Sequence, residues 1–143
     1  MKVSRILSTK RRDIITIQPN KLIREAIGIL AEYNIGVLVV VDDAGDLVGI
    51  LSERDVVRQA VKNEALFDLP VADVMTAEVV TGVPQDDIAQ VMHTMTERRF
   101  RHLPILDEQD KLIGIVSMGD VMKAQRDSYR GEIETLETQI MAE

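Results

Sequence analysis

A shift of 65 positions lays one half of this chain on the other without a gap. From Pro19 on Pro84 through Val57 on Met122, 11 of 39 positions are identical. That is about three to four times the level of chance. The identities include Leu38 with Leu103, Asp42 with Asp107, Leu47 with Leu112 and Gly49 with Gly114. Ser52 with Ser117 and Asp55 with Asp120 complete a repeated corner, "GILSERD" and "GIVSMGD". A half of about 55 residues buries too little surface to be secure alone. The chain is therefore expected to fold as two related halves that share a core about a pseudo-two-fold axis.

Each half reads as β-α-β-β-α, an α+β architecture. A short extended piece, "DIITI" or "EVVTG", comes first and is followed by a proline. Next come apolar positions at helical spacing: Ile23, Ala26, Ile27 and Leu30, then Ile88, Val91, Met92 and Met95. The i, i+3, i+4, i+7 pattern marks one buried helix face. The continuously apolar runs "VLVVV" and "LPIL" read as strands covered on both faces. Turns "DDAGD" and "DEQDK" lead to second strands "LVGIL" and "LIGIV", and each corner then opens a second helix. The expected divisions are a first repeat at 3–63, a linker at 64–70, a second repeat at 71–126 and a helical tail at 127–143. In the tail, Tyr129, Ile133, Leu136 and Ile140 form a short heptad seam with acidic flanks. It reads either as a helix lying on its own domain or as one pairing across a dimer.

Several function classes fall away on composition. There is no cysteine, so disulfides, zinc-thiolate sites and thiol catalysis are excluded. Two histidines, His93 and His102, are too few for a histidine-built metal site, and His93 reads as surface or packing. The turn "DDAGD" lacks the alternating acids of a calcium loop. No nucleophile elbow, zinc-protease helix, phosphate-binding glycine loop or dinucleotide fingerprint is present, so no enzyme activity is expected. A net charge of −7 opposes general nucleic-acid binding. The longest apolar run, "IGVLVVV", is too short to cross a membrane, and the N-terminus lacks a signal peptide's apolar middle. A soluble, cytoplasmic protein is expected, with no nucleic-acid or membrane partner.

The corners carry two readings. Ser-x-x-Asp at a helix start is a capping box. Yet Gly49 and Gly114 sit inside apolar strands, where a glycine often marks close approach of a ligand or backbone. A helix N-terminus favours anions, and an aspartate can accept from two ribose hydroxyls. Two basic clusters run against the net charge, "KRR" at 10–12 and "RRFRH" at 98–102. Arg98 should point outward, whereas Arg99, Arg101 and His102 lie where helix gives way to strand. The first half has "NIGV" there, with no cation, so its charge is expected from Lys10, Arg12 or Arg54. The two sites should then differ in ligand preference. Thr16 and Thr81 match across the repeat, either as plain strand residues or beside the site.

Two copies of this unit ending in G-h-h-S-x-x-D-h, where h is an aliphatic residue, resemble tandem CBS domains, often called a Bateman module. "LVGILSERDVV" and "LIGIVSMGDVM" carry the resemblance, with "IGVLVVVDDAG", "RHLPILDEQD" and "VADVMT" upstream. It covers residues 3–125 and is similar to small stand-alone bacterial CBS pairs. The resemblance implies a regulatory sensor of adenine nucleotides: AMP, ADP, ATP, S-adenosylmethionine or NAD(H). It implies clefts between the repeats and no catalytic cofactor. Asp55 and Asp120 would take ribose hydroxyls, and Ser52 and Ser117 would lie near ribose or phosphate. Thr16 and Thr81 would line adenine and phosphate. So would Asn34, Ile35, Gly36 and Val37 in one half, and Arg99, Phe100, Arg101, His102 and Pro104 in the other. Lys10 and Arg54 would supply charge. Ligand binding would shift the pose of the halves, signalling to a regulated partner, and two modules would form a homodimer. The competing reading is a structural oligomerisation protein whose corners are helix caps alone.

Overall fold

A computed structural model of the chain describes residues 1–10 and 13–142. The elements run α1 (Val3–Thr9), β1 (Thr16–Ile17), α2 (Ile23–Tyr33), β2 (Val37–Val41), β3 (Leu47–Ser52) and α3 (Glu53–Lys62). A 3-10 turn (Leu66–Asp68) follows, then α4 (Val71–Val74), α5 (Ile88–Arg98), β4 (His102–Leu106), β5 (Leu112–Ser117) and α6 (Met118–Ala142). The mixed α and β elements fall in the expected β-α-β-β-α series in the first half and in the same series without a full opening strand in the second. Contacts group them into two compact units. One holds Asp13–Thr81 with Leu106–Ile113; the other holds residues 1–10, Gly82–Ile105 and 114–142.

In the first unit the sheet order is β1-β2-β3. β1 runs parallel to β2, pairing Thr16 with Val39 and Ile17 with Val40. β2 runs antiparallel to β3, from Val37 opposite Ser52 to Val41 opposite Leu47. The helical stripe of α2 turns Ile23, Ala26 and Leu30 onto Leu38, Val40 and Leu51, and Leu66 and Val71 close the core. The stretch 64–70 is thus more than a linker, since the 3-10 turn contributes a buried leucine. Leu38, Val39 and Val40 are all buried, as a strand covered on both faces requires.

The second unit repeats this plan around Ile88, Val91, Met95, Leu103, Ile105, Val116 and Val121, joined by Val3 and Ile6 of α1. Its opening strand is shorter than "EVVTG" suggests. Only an isolated parallel bridge, Gly82 to Ile105, remains, with Gly82 N–H donating to the Pro104 carbonyl at 2.9 Å. The cause is Pro104, which stands where the first unit has Val39. A proline has no N–H, so the next ladder bond toward residue 80 cannot form.

Both hairpin turns are built alike. Asp42 Oδ1 accepts from the N–H groups of Ala44 and Asp46, and Asp107 Oδ1 from those of Gln109 and Lys111. These aspartates are turn-formers. Beyond the second corner, α6 is one unbroken helix of 25 residues. The expected repeat helix and tail are continuous, because no proline interrupts them.

The leading helices hold the larger departure. α1 lies in the second unit, where Val3 N–H donates to the Asp86 carbonyl and Ile88 N–H to that of Met1, at 2.9 and 3.0 Å. α4 lies in the first unit, where Val71 N–H donates to the Lys21 carbonyl at 2.8 Å. Each half's opening helix therefore completes the other half's core.

Candidate functional site

The two repeated corners are built by identical local chemistry. Ser52 Oγ accepts from Asp55 N–H at 3.1 Å, and Asp55 Oδ2 accepts from Ser52 N–H at 3.0 Å. Ser117 and Asp120 do the same at 3.1 and 2.9 Å. Both corners are complete capping boxes. Each is then pinned to the start of its partner strand. Glu53 N–H donates to the Gly36 carbonyl at 3.0 Å, and Met118 N–H to the Arg101 carbonyl at 2.8 Å. What brings those carbonyls to the helix is the preceding turn. Asn34 and Arg99 adopt the left-handed conformation, at φ 52 and 58°. Ile35 N–H and Phe100 N–H reach back to the carbonyls of Leu30 and Met95. This Schellman-type exit sends the chain directly into the strand.

The two glycines have a packing explanation. A side chain on Gly114 would meet Leu7 Cδ2 at 2.6 Å, and one on Gly49 would meet the Met75 sulfur and the Thr76 carbonyl oxygen. Thr76 exchanges both backbone hydrogen bonds with Ile50, at 2.8 and 2.9 Å. Each glycine thus makes room for a leading helix and the chain after it, rather than for a ligand.

Electrostatics separates the corners. Lys10, just past α1, donates through Nζ to Asp120 Oδ2 at 2.7 Å and to the Ile115 carbonyl at 2.8 Å. The expectation that Lys10 serves the first corner is corrected: it is fixed on the second. Leading segments explain why. "VSRILS" at 3–8 matches "VADVMT" at 71–76 with a shift of 68, whereas Thr16 matches Thr81 with a shift of 65. The first half therefore carries three additional residues, which fall at "KRR", and the first of them reaches the opposite repeat's corner. A gapless comparison of the halves does not reveal this; the change of shift would have.

Asp120 is part-buried. Burial alone would raise its pKa. The hydrogen bonds from Lys10 and Ser117, with the Lys10 charge, outweigh that and hold it below the ordinary value. His102 is pushed down, first by burial and then by the charges of Lys10 and Arg101, while Asp120 opposes the shift. It stands as a neutral imidazole at neutral pH. No described residue donates to Asp120 Oδ1, which leaves one carboxylate oxygen free on a group already paired with Lys10 through the other.

The first corner is acidic by comparison. Glu53 lies against Gly36, its carboxylate oxygen 3.6 Å from where a side chain at that glycine would begin. Arg54 is exposed and makes no ion pair with any described residue. Arg12 lies outside the described residues. Asn34 is exposed, while Ile35, Gly36 and Val37 are half-buried; in the other unit, Arg99 and Arg101 are exposed, Phe100 is half-buried and Pro104 fully buried. Thr16 is an exposed β1 residue. Thr81 lines a cavity of about 440 Å³ with Leu47, Val48, Val79 and Leu106, which none of the corner residues lines. His93 is a surface residue 3.3 Å from Glu97. Among the described residues, no acid or histidine cluster fits a metal, and no helix is long and apolar enough to cross a membrane.

Comparison with known proteins agrees with this architecture. The family model described as "CBS domain" matches residues 3–62 and 71–127. A CBS-domain containing protein from Agrobacterium tumefaciens superimposes with a TM-score of 0.83 at 39% identity, over 87% of this chain and 99% of that one. CBSX2, solved in complex with AMP, gives 0.76 at 26% identity, over 90% of this chain and 98% of that one. The CBS domain pair of protein MJ0100, solved with 5′-methylthioadenosine and S-adenosyl-L-methionine, gives 0.76 at 27% identity with the same coverage.

Proposed function

The chain belongs to the CBS-domain family, and on that premise we propose that it is a regulatory module that binds adenine nucleotides and carries out no catalysis. The observation that carries this reading is the second corner. There a carboxylate with one free oxygen lies beside Lys10, at a helix start whose Met118 N–H is bonded to the Arg101 carbonyl. Asp120 Oδ1 would accept from ribose hydroxyls, and Lys10 and Arg101 would meet phosphate, with His102 as a neutral partner. AMP, ADP, ATP and NAD(H) all present that chemistry; S-adenosylmethionine would test the ribose part without phosphate. Gly36 in place of Arg101, and Glu53 in place of Met118, make the first corner the poorer phosphate site.

Lys10 Nζ stands on Asp120 Oδ2. A phosphate would draw Lys10 off the carboxylate as ribose engages it. Lys10 follows α1 directly, so occupancy would be passed to α1, and a regulated partner would read the change. Such a signal is bounded by the ligand's differential affinity for the two states. Melting the protein with AMP, ATP, NAD and S-adenosylmethionine in turn tests the reading. A ligand at 100 times its Kd stabilises by about 2.7 kcal/mol, and no shift with any of them removes it. One observation favours a second reading, in which the corners are caps alone: both capping boxes are complete. Asp120→Asn separates the two. A cap loses about 1 kcal/mol of stability and leaves ligand response unchanged, whereas a ribose acceptor loses affinity in a protein that still folds.

A further inference from the structure

Past its one buried residue, Val121, α6 carries an apolar stripe that nothing among the described residues covers. Tyr129, Ile133, Leu136 and Ile140 are 54 to 72% exposed, and their spacings of 4, 3 and 4 place them on one heptad seam. We propose that this stripe is the seam of a homodimer, in which the α6 helices of two copies pair antiparallel. With Tyr129 and Leu136 at d and Ile133 and Ile140 at a, the flanking positions become Arg130 and Glu137 at e, and Glu132 and Gln139 at g. A parallel pair would set Glu132 of one helix against Glu137 of the other, twice over. An antiparallel pair places e opposite e, so Arg130 meets Glu137 of the second copy, again twice. Among the described residues neither Arg130 nor Glu137 has an ion-pair partner within the chain. The apolar layers close in the same register: Tyr129 on Ile140, Ile133 on Leu136, and the reverse. Such a contact is two-fold symmetric and self-complementary, so it stops at two copies. Gly131, at f, points away from the seam.

The charge pattern selects a second copy over an unrelated helix, because one chain supplies both members of each pair in a closing register. The chain has no cysteine, so directed cross-linking has no background. Full-length Tyr129→Cys and Ile140→Cys, one of them tagged, are unfolded, mixed, refolded together and oxidised. The antiparallel seam predicts a disulfide between the two different variants. It predicts little cross-linking within either one, because like positions stand about 16 Å apart along the axis at a rise of about 1.5 Å per residue. Cross-linking mainly within each variant indicates a parallel pair and overturns the proposal. So does cross-linking no greater than that of Thr138→Cys, which faces outward at f. A charge test accompanies it: Glu137→Arg should raise the dissociation constant of the dimer about tenfold, and Arg130→Glu with Glu137→Arg should restore it. A dimer indifferent to both changes also overturns the proposal.

Discussion

Replacing Lys10 by glutamine tests the second corner most directly. The substitution keeps the length of the stem and removes the charge that Asp120 faces at 2.7 Å. Both side chains are a little over a quarter exposed, at 27 and 29%. An exposed ion pair is worth at most about 1 kcal/mol, and a hydrogen bond to a charged group about 1.5 to 3 kcal/mol when buried. A part-buried pair lies between, so Lys10→Gln should cost about 1 to 2 kcal/mol near pH 7. In a chain of this size that lowers Tm by roughly 3 to 6 °C. The sign of the pH dependence follows from Asp120. Its folded pKa lies below the ordinary 3.8, so its contribution is fully present above that value. It disappears as pH falls through the depressed folded pKa. The gap between wild type and Lys10→Gln should therefore be full at neutral pH and shrink on acidification below the ordinary aspartate range. Urea unfolding of both proteins across that range measures it. An equal gap at every pH, or none at pH 7, would refute the assignment of Lys10 to this carboxylate.

The remaining expectations concern the same elements. NMR titration of His102 should show its pKa rising in Lys10→Gln, which removes a cation, and falling in Asp120→Asn, which removes an anion; equal signs would contradict the geometry. Ser52→Ala and Ser117→Ala should each cost about 1 kcal/mol by chemical denaturation, since the two caps are made alike. Gly49→Ala should be costlier than Gly114→Ala, within a range of about 1 to 3 kcal/mol for overpacking. The Thr76 carbonyl beside Gly49 is backbone held by Ile50, whereas Leu7 beside Gly114 is a side chain able to rotate.

Much of this was open to reading in one dimension. The stripe of Ile23, Ala26 and Leu30 follows from the helical period, and the turns at Asp42 and Asp107 from side chains that bond their own backbone. Ser52 with Asp55 and Ser117 with Asp120 cap their helices through contacts three residues apart, so sequence spacing is enough to place them. The shortened strand before Pro84 was hidden, although its cause, the missing N–H of Pro104, stood in the sequence. Pairing partners 23 residues apart had to be known before that proline could matter.

What the sequence determined by itself is therefore the repeat, the amphipathic helix and paired strands of each half, and two equivalent Ser-x-x-Asp corners, because each depends on neighbours along the chain. The tertiary structure decided which corner receives the lysine and what the glycines admit. Lys10 meets Asp120 across 110 residues, through a leading helix that packs in the opposite half, and Met75 and Leu7 fill the space over Gly49 and Gly114 by the same exchange. A carboxylate takes its electrostatic character from whatever charge folding brings to it. Two corners with the same local chemistry thus become unlike.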